Sequence, residues 1–351
     1  MQIKIANKTI GPKHPVFIIA ELGINHNGKL FIAKKMIDVA KSAGVDAIKI
    51  QSFVVDDFVG DKNLKYTYVS QGKKTTENQY DIFKRVELSQ KKQKSIFDYA
   101  KKIGIIALST PQDNSFKTVD FLCSKSINML AIKVGSDDLT NLDMLKYYAE
   151  KNKPMIISTG MSNLAEIKDA VKTIKKINKN LIILKCTSQY PTPPEEVNLS
   201  QIKTLQKHFK DCLIGFSDHT QGTVAAVAAT ILGANVIEKH FTLDKNMKGP
   251  DHQFSADPQE LVLLVNQIRQ AEKMIGKEAI VVSKKEQSIK NIARRSIMAT
   301  HLIEQGQKID KKDLVCKRPG TGLPPKYLHK FIGKKAKKNY KKGYIFKKND
   351  L

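Results

Sequence analysis

Two runs of sequence, Leu213-Ile-Gly-Phe-Ser-Asp-His219 and Asn235-Val-Ile-Glu-Lys-His-Phe-Thr242, together with the alanine-rich segment Thr223–Leu232 between them, decide the fold class. Each run is apolar and β-rich in its body and polar at its end: Ser217 and His219 in the first, Glu238 and His240 in the second. The segment between them has the composition of a helix, and Gly233 follows it where a left-handed cap is wanted. Strand, helix and strand in such quick succession make a parallel βαβ unit. The charge-free part, Thr220–Ile237, carries Gln221 and Asn235, and it reads as helix entering strand rather than as a membrane span.

The same rhythm extends upstream through the first 276 residues. Apolar runs occur at Phe17–Asn25, Ala47–Phe53, Ile105–Thr110, Met129–Ser136, Pro154–Gly160 and Leu181–Ser188. Helix-like segments follow at Phe31–Ala43, Lys91–Ile103, Ser115–Lys125, Leu142–Lys151, Leu164–Ile177 and Ser200–Phe209, and Pro258–Ile275 closes the series. Eight such units in roughly 260 residues predict an α/β chain folded as a (β/α)8 TIM barrel; a doubly wound sheet would differ in size or unit number. The polar strand ends agree, because all eight converge on one face of a barrel. The segment after the second strand, about 54–90, is long enough to be a lid or an inserted substrate-binding piece, and it carries Tyr66, Tyr68 and Tyr80. Residues 1–276 are thus expected as the catalytic barrel and 277–291 as a polar linker, with a possible short strand at Ala279–Val282. A small β-rich domain is expected over 292–351.

Composition removes other classes. The 351 residues are 41% hydrophobic and 27% charged, which is ordinary for a globular chain and excludes disorder, collagen and coiled coil. Net charge is +26, but only five of the 60 basic residues are arginine, and the lysines are dispersed. That is a solvated lysine coat rather than a phosphate-reading stripe, so no nucleic-acid partner is expected. Cys123, Cys186, Cys212 and Cys316 stand far apart in apolar surroundings and read as buried free thiols. The alternating start Met1-Gln-Ile-Lys-Ile5 is a strand and not a signal peptide. A cytoplasmic protein with no membrane association is expected.

Chemistry gathers at the strand ends. His219 and His240 finish neighbouring strands, so both imidazoles would enter one mouth, where they suit zinc, manganese, iron or cobalt. Lys49 and Lys133 end strands two and four; each could form a Schiff base, hold a phosphate or reach for solvent. Ser109, Thr110, Ser136, Ser158 and Ser217 add hydroxyls, and lysines with hydroxyls make a phosphate or carboxylate site rather than a nucleophilic triad. No nucleophile elbow, Walker loop or dinucleotide glycine fingerprint is present. Glu21 places a carboxylate at the end of the first strand.

Ten ordered motifs then become familiar: Glu21-Leu-Gly-Ile-Asn-His-Asn-Gly28, Lys49-Ile-Gln51, Leu108-Ser-Thr-Pro111, Lys133-Val-Gly-Ser136, Ile157-Ser-Thr-Gly-Met161, Tyr190-Pro-Thr-Pro193, Gly215-Phe-Ser-Asp-His-Thr220, Glu238-Lys-His-Phe241, Gly249-Pro-Asp-His252 and Lys317-Arg-Pro-Gly320. Over nearly its whole length the chain resembles the sialic acid synthase family, barrel enzymes with a C-terminal antifreeze-like (SAF, β-clip) domain. The resemblance implies condensation of phosphoenolpyruvate with the open-chain aldehyde of N-acetylmannosamine, giving N-acetylneuraminate and phosphate by C–O cleavage. It implies Lys49, Thr110, Lys133, Ser136, Ser158 and Ser217 as phosphoenolpyruvate ligands, together with Ser188, where many bacterial members carry Asn. His219 and His240 would hold a divalent ion, manganese in the family, with magnesium or cobalt as further candidates. Glu21, Gln51, Tyr190 and Asp251 would meet the sugar, with Glu21, Lys49, Lys133 and Arg318 as the catalytic set. Arg318 would act in the partner's barrel of a domain-swapped homodimer, the extended linker spanning on the order of 45 Å. Two alternatives stand beside this: a legionaminate or pseudaminate synthase using a diacetamido-trideoxyhexose, and a non-catalytic sugar- or anion-binding protein.

Overall fold

The computed structural model describes all 351 residues, which divide into two units, Met1–Gly276 and Lys277–Leu351. In the first, eight strands form a closed parallel barrel: β1 (Phe17–Gly23), β2 (Ala47–Ser52), β3 (Ile106–Pro111), β4 (Ile132–Val134), β5 (Met155–Ser158), β6 (Leu181–Cys186), β7 (Leu213–Asp218) and β8 (Val236–His240). The alternating helices are α1 (Leu30–Ala43), α2 (Gln90–Ile103), α3 (Lys117–Cys123), α4 (Leu142–Glu150), α5 (Leu164–Lys175), α6 (Gln201–His208), α7 (Val224–Ile231) and α8 (Pro258–Ile275). The expected (β/α)8 class is therefore what the chain adopts, with β8 pairing back onto β1.

Period-two alternation positions everything that follows. Ile18, Ala20, Leu22, Ile48, Ile50, Ile183 and Ile237 face outward and pack against the helices. Phe17, Ile19, Ala47, Leu108, Ala131, Ile156, Leu184, Leu213 and Val236 face inward and fill the barrel. An N-terminal hairpin, Ile3–Ile5 against Lys8–Ile10, adds Ile3, Ile5 and Ile10 to that inner cluster and plugs the bottom of the barrel. The apolar inner layers thus occupy the N-terminal half. The next inward positions along each strand are polar and open upward.

Residues 54–90 are an ordered insertion rather than a loop. A short helix (Val55–Phe58) leads into an antiparallel hairpin, Lys65–Ser70 with Lys73–Asn78, and a helix over Gln79–Val86 returns the chain to the barrel. Phe53 and Phe58 stack and Phe83 meets both edge-on, with ring centres 5.0–5.5 Å apart, to hold its base. Its tip is tied to the segment after β8 through Gly249 N–H donating to Ser70 Oγ (3.2 Å) and Gln71 Nε2 donating to Asn246 O (2.9 Å).

The second unit has its own core of Ile297, Ile303, Ile309, Phe331, Tyr340 and Phe346 around the hairpin Ser296–Ala299 with Leu314–Lys317. The linker expectation needs correcting. Lys284–Ala293 is helical, because Ser283 and Glu286 form a reciprocal capping box at its start, and Ala279–Val282 pairs with nothing as a strand. Ten helical residues span about 15 Å where an extended chain would reach about 33 Å, so the connection is much shorter than its length suggests.

Candidate active site

At the C-terminal ends of the strands lies a cavity of about 460 Å³. Glu21 (β1), Lys49 and Gln51 (β2), Thr110 (β3), Lys133 (β4), Ser158 (β5), Cys186 (β6), Ser217 (β7), and Glu238 and His240 (β8) line it. Each lies an even number of residues beyond an inward apolar position of its own strand, so the pleat that fills the barrel below also aims these groups upward. Ser136, Ser188, Tyr190 and His219 enter from the loops that follow the strands. Twelve of the fourteen expected site residues therefore meet in one cavity. Asp251 lies in an adjoining chamber, and Arg318 is exposed in the second unit, after the strand Leu314–Lys317.

Two lysines and two glutamates form the floor. Lys49 Nζ is 2.6 Å from Glu21 Oε2, donates to Thr110 Oγ1 at 2.9 Å and lies 3.8 Å from Glu238. Lys133 Nζ donates to Ser158 Oγ (2.7 Å) and Val134 O (2.9 Å), with Glu238 at 3.7 Å. Ser217 Oγ donates to Glu238 at 2.9 Å. Burial pushes Glu21 up to about 7, helped by Glu238 and opposed by Lys49, which puts its carboxyl in the range of a proton carrier. Burial likewise lowers Lys133, whereas at Lys49 the attraction of Glu21 and Glu238 outweighs burial and raises it. Glu238 is also buried, yet Lys133 and Lys49 hold it below the ordinary range.

Several polar atoms here are buried without a hydrogen-bond partner: Glu21 Oε1, Glu238 Oε2, Ser188 Oγ and His240 Nδ1. Such atoms mark a place shaped for a ligand. Gly160 shows how tight the shaping is, because a Cβ there would sit 2.2 Å from Ser188 Oγ and 2.8 Å from Ser136 Oγ. Gly23 is required for a different reason, its left-handed φ of +49°, since a Cβ there would come no closer than 3.2 Å to Glu21 Oε1.

The imidazoles of His219 and His240 stand 5.3 Å apart between ring centres. Tyr190 packs on His219 at 4.2 Å and Phe254 on His240 at 5.1 Å. His219 Nδ1 lies 2.7 Å from Thr187 O, so this nitrogen donates and Nε2 is left as the lone-pair atom. Burial, with His219 and the lysines adding to it, drives His240 well below its usual range and keeps it neutral. No group of three or more His, Cys, Asp or Glu converges as a closed cage. The donor set is the neutral imidazole of His240, with its unpartnered Nδ1, beside His219, which Cys186 and the Thr187 carbonyl hold above its usual range despite burial; with that proton released the pair fits a divalent ion.

The chain matches the NeuB family over residues 36–279 and the SAF domain over 294–351. It belongs to the NeuB family. The N,N'-diacetyllegionaminic acid synthase of Campylobacter jejuni is 42% identical, covering 94% of this chain and 98% of that one. The human N-acetylneuraminate-9-phosphate synthase is 37% identical, over 93% of this chain and 90% of that one. A crystal structure of the N-acetylneuraminic acid synthetase of Leptospira borgpetersenii superposes with a TM-score of 0.73 at 32% identity, covering 82% of this chain and 95% of that one. The sialic acid synthase resemblance carried by the ten motifs is borne out, as is the small SAF domain after the barrel. No helix is long and apolar enough to cross a membrane.

Not every polar strand end of this NeuB-family barrel reaches the mouth. Ser109 faces outward and donates to Ile50 O and Ser52 Oγ. Lys185 faces outward too, donating to Thr187 Oγ1 (2.6 Å) and Val197 O. Lys239 and Asp218 form a buried outward pair at 2.7 Å that locks the ends of β7 and β8 together and so sets both imidazoles. Breaking such a pair costs about 3–5 kcal/mol. Cys186, buried and free as expected, and Glu238 also line the mouth, although neither was assigned a role there from sequence. Burial would raise Cys186, but His219, Ser136 and Lys133 bring it to about 7. Strand parity exposes both, since Cys186 lies two residues beyond inward Leu184, and Glu238 two beyond inward Val236.

Proposed function

We propose that this chain condenses phosphoenolpyruvate with the open-chain aldehyde of an N-acetylated amino sugar, releasing phosphate and a nonulosonic acid. The observation that carries this is the juxtaposition of two buried lysines with an imidazole pair in one cavity. An anion site therefore adjoins a place where a carbonyl can be activated. N-acetylmannosamine is one acceptor that fits; a diacetamido-trideoxyhexose is the second.

Lys49 and Lys133, with Thr110, Ser136, Ser158, Ser188 and Ser217, bind the phosphate and carboxylate of phosphoenolpyruvate and fix its C3 toward the acceptor. His219 and His240 would hold a divalent ion, manganese by resemblance, which would supply Lewis-acid polarisation of the acceptor aldehyde. Glu21, near neutrality and 2.6 Å from Lys49, carries a proton between substrate and solvent. C3 attacks the aldehyde carbon, water adds at C2, and the tetrahedral centre expels phosphate together with the bridging oxygen. Phosphoenolpyruvate labelled in the bridging oxygen is expected to give labelled phosphate. Label recovered in the keto-acid product would mean attack at phosphorus and would discard the mechanism.

By the same resemblance, Arg318 serves the acceptor bound in the barrel of a partner subunit. Arg318→Ala and His240→Ala, each inactive or nearly so alone, are expected to recover activity when co-expressed, because a mixed dimer then holds one site with both residues intact. Verified mixed dimers without activity would remove the shared-site arrangement.

A further inference from the structure

A pocket that only had to hold an anion would surround it with cations and donors. The floor of this mouth is built otherwise. Between the two ammoniums stands the carboxylate of Glu238, with one oxygen 3.7 Å from Lys133 Nζ and the other 3.8 Å from Lys49 Nζ. The side chain projects inward from β8, is 4% exposed and lines the cavity. Ser217 donates to its Oε1 at 2.9 Å, while Oε2 is buried and unpartnered. Flanked by two ammoniums and a hydroxyl donor, this carboxylate brings a negative charge into the site.

In the reaction proposed above Glu238 has no part. The carboxylate in direct contact with Lys49 is that of Glu21, at 2.6 Å. Glu238 lies beyond hydrogen-bond reach of both ammoniums, so it engages neither as a close ion pair would, and both remain open to another anion. An oxygen hydrogen-bonded to either ammonium, at about 2.8 Å, lies within about 7 Å of Glu238. At that range, in a buried site, two negative charges repel appreciably. Any anion held by these lysines is therefore held against a built-in opposing charge.

Substrate and product meet that opposition differently. Phosphoenolpyruvate carries phosphate and carboxylate on one molecule, so the second group to dock does so intramolecularly and at high effective concentration. Once the C–O bond breaks, phosphate separates from the carboxylate and keeps only its own contacts. We propose, resting on the synthase reading above, that Glu238 expels the product phosphate: its charge leaves the anion site strong enough for phosphoenolpyruvate and too weak to retain a lone phosphate. Without that charge the site becomes a phosphate trap.

The test is Glu238→Gln, which keeps the shape and the Ser217 contact and removes the charge. Lys49 stays paired with Glu21 in this variant, and the entering phosphate itself supplies the counter-charge to Lys133. Calorimetric titration with inorganic phosphate alone is expected to give a Kd at least about tenfold lower than that of the unaltered protein. In turnover, kcat and the KM for phosphoenolpyruvate are both expected to fall, with a burst of phosphate formation in the first cycle as release becomes limiting. Glu238→Asp restores the charge and is expected to return the phosphate Kd toward its original value. A role confined to holding the lysines in place would do the opposite, weakening phosphate and raising KM. Unchanged or weaker phosphate binding by folded Glu238→Gln therefore overturns the proposal and leaves the synthase reading standing. So does an unaltered protein that binds inorganic phosphate as tightly as phosphoenolpyruvate, a measurement that needs no variant to fold. Absence of phosphate release from phosphoenolpyruvate with both N-acetylmannosamine and a diacetamido-trideoxyhexose overturns the synthase reading and this inference with it.

Discussion

Replacing Lys133 by methionine is expected to lower kcat/KM for phosphoenolpyruvate on the order of 10³-fold, with the KM for the acceptor little changed. Lys133 is 3% exposed, so an anion bound beside its ammonium meets a charge that bulk water screens little. Methionine keeps most of the stem's volume and removes the charge. Glu238 is not stranded by the change, because Ser217 still donates to it at 2.9 Å and Lys49 remains 3.8 Å away. The barrel should therefore stay folded, which circular dichroism and thermal unfolding would verify. A folded variant whose kcat/KM for phosphoenolpyruvate stays within about threefold would remove Lys133 from the anion site.

Exhaustive chelation is expected to lower turnover by at least about 10³-fold, and added manganese to restore it, because polarising a carbonyl is worth several kcal/mol. The fold should survive, with the unfolding midpoint moving by no more than a few degrees. The two cores of the barrel, one between strands and helices and one inside the strands, are apolar and sit below the imidazole pair. His219→Ala and His240→Ala should each reproduce the loss and make it insensitive to added metal. Full activity in rigorously metal-free protein would end the Lewis-acid role.

Much of the site was legible because a parallel barrel brings all its strand ends to one face. Once eight apolar runs ending in Glu21, Lys49, Thr110, Lys133, Ser158, Ser217 and His240 are recognised, their convergence follows from topology alone. What the same runs leave ambiguous is which of two adjacent polar residues points inward. Ser109 and Thr110 both looked competent, and Lys185 and Cys186 differ by a single position. In each pair one member faces the mouth and the other is buried behind the strand. Parity against the apolar body of the strand resolves such pairs, but only when the frame is set by residues whose inward packing is known. The connection after Gly276 misled for another reason: its polar composition conceals a capped helix, since the Ser283–Glu286 capping box is a local signal that outweighs linker-like content.

The sequence by itself determined the barrel, the second small domain, the family and the identity of nearly all the mouth residues, because apolar periodicity and strand-end chemistry are local properties of the chain. Only the tertiary structure decided how the charges are shared. Glu21 and Lys49 are 28 positions apart, Lys133 and Glu238 are 105 apart, and no local pattern records that they lie within 4 Å in a buried site. Burial lifts Glu21 to about 7 against the pull of Lys49 and lowers Lys133 against the pull of Glu238, so each balance depends on partners supplied by other strands. The chamber beside His240 has the same origin: its walls come from the end of β1, the inserted 54–90 segment and the loop after β8, which only their packing brings together.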